Sequence, residues 1–315
     1  MEASTVSCGQ KWLNPRRNAM TPVILVATDF SATADAALDW AAELARQQSG
    51  RLEIIHAVTM PPSMPGYVPT AGIDFTADLE RAAHARLEGL AAKVRATGVE
   101  TGVFLGVGTP SRVVLDRAEE TGASAIVMGT RGLTGLRHLL LGSTTERVVH
   151  GALCPVLSVH PEDQGRHRPI RSILVPTDFS HDAELAIQTA HRLLEQLETG
   201  ARLILLHAYN LPIEYTAYGP IPMSVDYLKD TGLEAERRLF EAAQQLQREG
   251  LTVETVAREG DPALVIADEA EKREADLIAM GTRGLSGLRH LLLGSTAERV
   301  AQKAHCPVMT IRRTD

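Results

Sequence analysis

Two short blocks of this chain combine glycines with hydroxyl residues at a spacing suited to holding an anion. Gly129, Gly132, Gly142, Ser143 and Thr144 recur, in the same G-x2-G-x9-G-[ST] order, as Gly281, Gly284, Gly294, Ser295 and Thr296. Glycine lets the backbone approach a bound group closely and take positive φ. Where the second glycine–hydroxyl cluster opens a helix, free N–H groups and the positive end of the macrodipole favour a phosphate. The hydroxyls of Ser143, Thr144, Ser295 and Thr296 would add donors, and Arg131, Arg137, His138, Arg283, Arg289 and His290 add positive charge. For Arg137 and Arg289 a solvated surface charge is the simpler reading.

A purely structural account also fits part of the pattern. Ser143-Thr144-Thr145-Glu146 and Ser295-Thr296-Ala297-Glu298 each read as an S-x-x-E capping box, which only starts a helix. Capping does not require Gly129 and Gly132 upstream. The stretch Gly129–Val148 is also the longest near-identical match between two diverged copies, differing from Gly281–Val300 only at Thr134/Ser286 and Thr145/Ala297. No Lys precedes the Ser-Thr pair, so the loop is not a Walker A motif. Gly106-Val107-Gly108 lacks the third glycine of a dinucleotide fingerprint.

Positioning these loops requires a scaffold, and the chain writes that scaffold twice. ILVATDFS (Ile24–Ser31) returns as ILVPTDFS (Ile173–Ser180), and IIHAV (Ile54–Val58) as LLHAY (Leu205–Tyr209). In the first copy, buried-type strands are predicted at Pro22–Thr28, Leu52–Val58, Val99–Leu105, Ser124–Met128 and Pro155–His160. Helices are predicted at Asp35–Gln48, Asp74–Thr97, Ser111–Glu120 and Thr144–His150. The second copy repeats the order, with strands near Ser172–Pro176, Leu203–Ala208, Thr252–Ala257, Leu277–Met280 and Val308–Ile311. Alternating strands and helices imply a parallel sheet covered on both faces. The expected layout is a flexible leader over 1–19, one domain over 20–160, a polar linker over 161–169 and a second domain over 170–315. The last strand of each copy offers an edge through which the halves can pair, and through which whole chains can form a homodimer.

Composition narrows the function classes. The formal net charge of -7 argues against a nucleic-acid surface. No apolar run approaches a membrane span, and the first twenty residues hold no apolar signal segment, so the cytoplasm is the expected compartment. Cys154 and Cys306 occupy matching places before Pro-Val and read as small buried residues rather than a disulfide framework. The histidines show no zinc-ligand spacing, and His56 and His207 read as satisfied core residues. Gly108-Thr109-Pro110 and Gly260-Asp261-Pro262 read as helix-initiating turns. The loops Met60–Thr70 and Asn210–Met223 are long enough to act as lids or partner surfaces.

The glycine spacing, an Asp-bearing first strand and a late Cys-Pro-Val strand occur together in both halves, and in this the chain resembles the universal stress protein family. The resemblance spans about Pro22 to Arg312, once per half, and looks like a tandem-type member of the ATP-binding subgroup. It implies an α/β fold of two tandem open parallel five-stranded sheets, strand order 3-2-1-4-5, with helices on both faces. This architecture is Rossmann-like and similar to the adenine nucleotide α-hydrolases. It further implies ATP as the ligand, with Mg2+ where the nucleotide carries it, up to one per domain at the switch point between strands 1 and 4.

Carried over residue by residue, the strand-1 contacts fall on Thr28 and Asp29 and on Thr177 and Asp178, with Ala57 and Ala208 at the adenine-facing position of strand 2. The phosphate and ribose contacts fall on Gly129, Arg131, Gly132, Gly142, Ser143, Thr144 and Thr145, and on Gly281, Arg283, Gly284, Gly294, Ser295, Thr296 and Ala297. Ala27 stands where the second copy has Pro176, the residue more typical of the family, and Ala297 lacks the hydroxyl of Thr145. Asp29 and Asp178 also fit an ordinary N-cap or turn role. The function expected is a nucleotide-binding sensor or regulator; a slow ATPase and a nucleotide-independent interaction protein are the alternatives.

Overall fold

The computed structural model describes residues 21–59, 75–130, 142–163, 169–196, 200–209, 214–216, 219–221, 225–282 and 294–312. The chain divides into two compact units, with the boundary between His167 and Arg168.

Unit 1 runs β1 (Val23–Ala27), α1 (Ala32–Gln47), β2 (Arg51–Val58), α2 (Phe75–Arg95), β3 (Thr101–Val107), α3 (Pro110–Thr121), β4 (Ala125–Gly129), α4 (Ser143–Gly151) and β5 (Val156–Val159). The strands lie in the order β3-β2-β1-β4-β5 and every pairing is parallel. β1, β4 and β5 are buried along nearly their whole length, without alternation, because helices cover both of their faces. Ile24, Leu25, Ile54, Ile55, Ile126 and Leu157 form the centre of this core. A charge is buried within it. Glu53 on β2 is 4% exposed and accepts from Arg117 of α3 at 2.8 and 2.6 Å.

Unit 2 runs β6 (Ser172–Pro176), α5 (His181–Glu195), β7 (Arg202–Tyr209), β8 (Glu214–Thr216), β9 (Gly219–Ile221), α6 (Val225–Arg248), β10 (Thr252–Glu259), α7 (Pro262–Lys272), β11 (Leu277–Gly281), α8 (Ser295–Lys303) and β12 (Val308–Ile311). Its main strands take the same parallel order, β10-β7-β6-β11-β12. The α/β class with a parallel sheet is therefore present in each unit. Part of the long second-copy loop forms an antiparallel hairpin, β8 with β9. The leader, the interdomain residues 164–168 and the loop Met60–Thr70 lie outside the described residues. Among the described residues, no helix is long and apolar enough to cross a membrane.

The first helix of unit 1 starts about one turn earlier than the predicted Asp35, at Ala32. Ser31 and Ser180 are the N-caps, accepting from the Ala34 and Ala183 N–H groups at 3.2 and 3.3 Å. The cap, not the apolar stripe, sets the first turn.

Candidate functional site

In each unit the carboxyl ends of the first and fourth strands lie side by side, at the reversal of strand order where open α/β sheets hold ligands. At the end of β1 the sequence Thr-Asp-Phe-Ser turns the chain sharply into α1. Thr28 Oγ1 accepts from the Phe30 N–H at 2.9 Å, and Asp29 Oδ1 accepts from the Ser31 N–H at 3.0 Å. Thr177 and Asp178 repeat these bonds, both at 3.0 Å. The aspartates are thus turn residues, and the capping role belongs to the serines beside them.

The turn forces Phe30 and Phe179 into the left-handed region, with φ of 64° and 62°. For a bulky side chain this costs on the order of 1–3 kcal/mol. Two contacts surround each ring. His56 packs against Phe30 at a 44° tilt with centroids 4.5 Å apart, and the Arg86 guanidinium carbon lies 4.0 Å from the ring centroid. His207 and Arg238 flank Phe179 at 4.7 and 3.9 Å. His56 Nδ1 is 2.7 Å from the Thr28 carbonyl, and His207 Nδ1 is 2.6 Å from that of Thr177. A carbonyl only accepts, so Nδ1 carries the proton. The histidines are satisfied, as the sequence suggested, but they are half-buried at the site and not in the core. Ala57 and Ala208, the next residues along β2 and β7, are likewise half-buried.

Across from this turn stands the start of α4. Its N-cap is Gly142, and in unit 2 the N-cap of α8 is Gly294. The capping-box expectation is therefore corrected: Ser143 and Ser295 are the first helical residues, and a glycine has no side chain with which to cap. Ser143 is exposed and Thr144 half-buried, as are Ser295 and Thr296. The Gly142 N–H donates to the Thr130 carbonyl at 2.7 Å, and Gly294 does the same to Thr282. These bonds close the necks of the glycine loops and occupy both glycine N–H groups.

Other residues predicted to contact a ligand have protein partners. A Cβ on Gly129 would sit 2.7 Å from Thr33 Cγ2, and one on Gly281 would sit 2.9 Å from the Asp182 backbone. These glycines let the first-turn helix pack against the fourth strand. The buried Thr145 donates its hydroxyl to the Gly129 carbonyl at 2.8 Å, a bond that Ala297 cannot make. Arg131, Gly132, Arg283 and Gly284, with Arg137, His138, Arg289 and His290, lie outside the described residues.

Phe30, Ser31, Arg86 and Thr130, with Phe179, Ser180, Arg238 and Thr282, belong to the site without having been expected there. A signal existed for the phenylalanines and serines, because Thr-Asp-Phe-Ser is identical in both copies. Two clefts of about 450 and 540 Å3 lie elsewhere in unit 2, one lined by Arg171, Arg202 and Asp276, the other by Leu233 and Phe240.

Chemically, the site has two unlike ends. A carboxylate at the end of the first strand suits hydrogen-bond donors. A helix N-terminus with hydroxyls at its first positions suits negative charge.

A model described as the universal stress protein family matches residues 20–160 and again 169–312. A universal stress protein of Mycolicibacterium smegmatis is 31% identical over 298 residues, which covers 92% of this chain and 96% of that protein. One from Methanocaldococcus jannaschii is 34% identical over 143 residues, covering 45% of this chain and 82% of its own length. The crystal structure of a universal stress protein from Archaeoglobus fulgidus DSM 4304 matches with a TM-score of 0.67 at 24% identity, over 93% of this chain and 97% of that one. That likeness speaks for the fold.

Proposed function

The chain belongs to the universal stress protein family, and from that premise we propose that each domain binds one adenine nucleotide, ATP, with or without Mg2+. The protein then works as a cytoplasmic sensor or regulator of the stress response. The observation that carries this reading is the two-ended site, found twice. Asp29 and Asp178 face donors such as ribose hydroxyls or the adenine amino group. Phosphates lie at the starts of α4 and α8, where Ser143, Thr144, Ser295 and Thr296 combine hydroxyls with first-turn N–H groups. Arg131, Gly132, Arg283 and Gly284 complete the phosphate side. Ala57 and Ala208 line the base.

Thr28, Thr177, Gly129, Gly281 and Thr145 support the site through the turn and the loop neck instead of touching the ligand. Ala297 leaves the second neck one hydrogen bond short.

Mass spectrometry of the purified protein, followed by calorimetry on nucleotide-stripped chain, tests the proposal. The expected result is close to two adenine nucleotides per chain. An absence of binding at micromolar ATP overturns it. Steady phosphate release that Asp29→Asn with Asp178→Asn abolishes would make the protein a slow ATPase instead.

A further inference from the structure

Resting on the nucleotide reading above, we infer that Arg86 and Arg238 are positioning residues: each clamps the left-handed phenylalanine that aims the neighbouring Asp29 or Asp178. The geometry is the same in both units. The guanidinium carbon of Arg86 lies 4.0 Å from the Phe30 ring centroid, and that of Arg238 lies 3.9 Å from the Phe179 centroid. Each ring also packs, tilted by 44° and 42°, against a histidine that is hydrogen-bonded to the carbonyl just before the aspartate. Strand, turn and helix therefore meet at one aromatic ring. Within this cluster the cation is contributed by α2 or α6.

Comparison of those two helices within the chain supports the role. When the buried Leu87 and Leu239 are superposed in register, α2 matches α6 at few positions. Ala83/Ala235, Leu87/Leu239 and Ala91/Ala243 are buried core residues, whose identity packing explains. Asp78/Asp230 lies near the helix start. Arg86/Arg238 is exposed, and core packing does not account for it. Among the described residues neither guanidinium makes a hydrogen bond or a salt bridge; Glu234 attracts Arg238 along its own helix, and the contact that both arginines share is the phenylalanine ring. An arginine serving only solubility has no need to stand over the same strained ring twice.

The physical link runs through the backbone. The positive φ of Phe30 is unfavourable for an L side chain, and the cation–π contact offsets part of that cost. Without the cation, the turn relaxes toward ordinary backbone. The Ser31 N–H bond to Asp29 then loosens, and the carboxylate is no longer presented at one angle.

The test compares the full-length chain carrying Arg86→Met with Arg238→Met, which keeps the apolar stems, with the chain carrying Arg86→Lys with Arg238→Lys, which keeps the cations. Calorimetry with adenosine and with ATP should give the same loss of affinity in the Met chain, about 2- to 5-fold, with most affinity retained in the Lys chain. Without any nucleotide, amide exchange at Phe30, Ser31, Phe179 and Ser180 should speed up in the Met chain, while the β1 and β6 core amides keep wild-type protection. Weaker ATP binding with unchanged adenosine binding would make the arginines phosphate contacts and overturn the positioning role. Unchanged exchange at the turn would overturn the clamp itself. If the wild-type chain binds no nucleotide, the nucleotide reading falls, and the exchange measurement still decides the clamp.

Discussion

The two domains agree closely at the end of the first strand and part company at the neck of the glycine loop. At the turn, Thr28, Asp29 and Ser31 make bonds of 2.9, 3.0 and 3.2 Å, and Thr177, Asp178 and Ser180 make bonds of 3.0, 3.0 and 3.3 Å. At the neck, domain 1 adds the Thr145–Gly129 bond and places the Thr130 hydroxyl 3.3 Å from His160 Nδ1. Domain 2 has Ala297 and Arg312 at those places, and the Thr282 hydroxyl, 1% exposed, has no partner among the described residues. The turn tolerates little change because three side chains cooperate in one strained conformation. The neck survives the loss of its side-chain bonds because its main-chain bond remains.

The largest effect expected from breaking this comparison is in the core. Glu53 stands where domain 2 has Ile204, and Arg117 stands where it has the buried Glu269. Burial pulls the Arg117 guanidinium down, but its bonds to Glu53 and Glu120 hold it above the usual arginine value. Arg117→Met strands a buried carboxylate and should cost domain 1 about 3 kcal/mol, read by urea unfolding followed through the fluorescence of the buried Trp40. Adding Glu53→Ile, the domain 2 solution, should recover most of that loss. Destabilisation of the single variant by well under half that amount would mean that the pair is dispensable.

Next come the strand-end glycines. Gly281→Ala meets the backbone of Asp182, which cannot rotate away, whereas Gly129→Ala meets the Thr33 methyl first. Overpacking should cost about 2–3 kcal/mol in domain 2 and about 1–2 kcal/mol in domain 1, measured by domain-resolved hydrogen exchange. Equal costs would show that the two helix starts yield alike.

Swapping the neck residue has a smaller consequence. Thr145→Ala should remove about 1 kcal/mol from domain 1, and Ala297→Thr should return a comparable amount to domain 2. If the neck tunes nucleotide affinity, calorimetry should show weaker binding in domain 1 of Thr145→Ala and tighter binding in domain 2 of Ala297→Thr.

The smallest effect concerns acid stability. The Arg299 guanidinium bonded to Asp261, at 2.8 Å, holds that carboxyl below its ordinary value. A depressed carboxyl contributes stability above its unfolded pKa and loses it as pH falls through the lower folded value. Domain 2 should therefore lose this contribution only in the acid range below ordinary carboxylate titration, and Asp261→Asn should flatten that part of its pH profile slightly. Thr109, the matching cap in domain 1, makes no side-chain bond, so Thr109→Val should leave the profile unchanged.

Much of the fold is legible in the sequence. The duplication, the strand–helix alternation and the glycine spacing are written in local patterns, and local patterns report what single segments prefer. The same locality hid the identity of the caps. Ser143-x-x-Glu146 satisfies every short-range criterion of a capping box, yet Gly142 is the N-cap because its N–H is drawn to the Thr130 carbonyl at the other end of the loop. Arg86 shows no pattern along its own helix, since its partner Phe30 belongs to a different element.

The sequence by itself determined that the chain is one α/β unit used twice, with a carboxylate after the first strand and a glycine-rich loop after the fourth. Periodicity and turn chemistry act over a few residues, so they can be read directly. Only the tertiary structure decided which polar groups are already engaged and which face outward. Gly129 makes room for Thr33, Thr145 is committed to the Gly129 carbonyl, and the left-handed phenylalanines are held by side chains from other elements. Whether a donor is free depends on the neighbours that the sheet order brings to it, and those neighbours are distant in the chain.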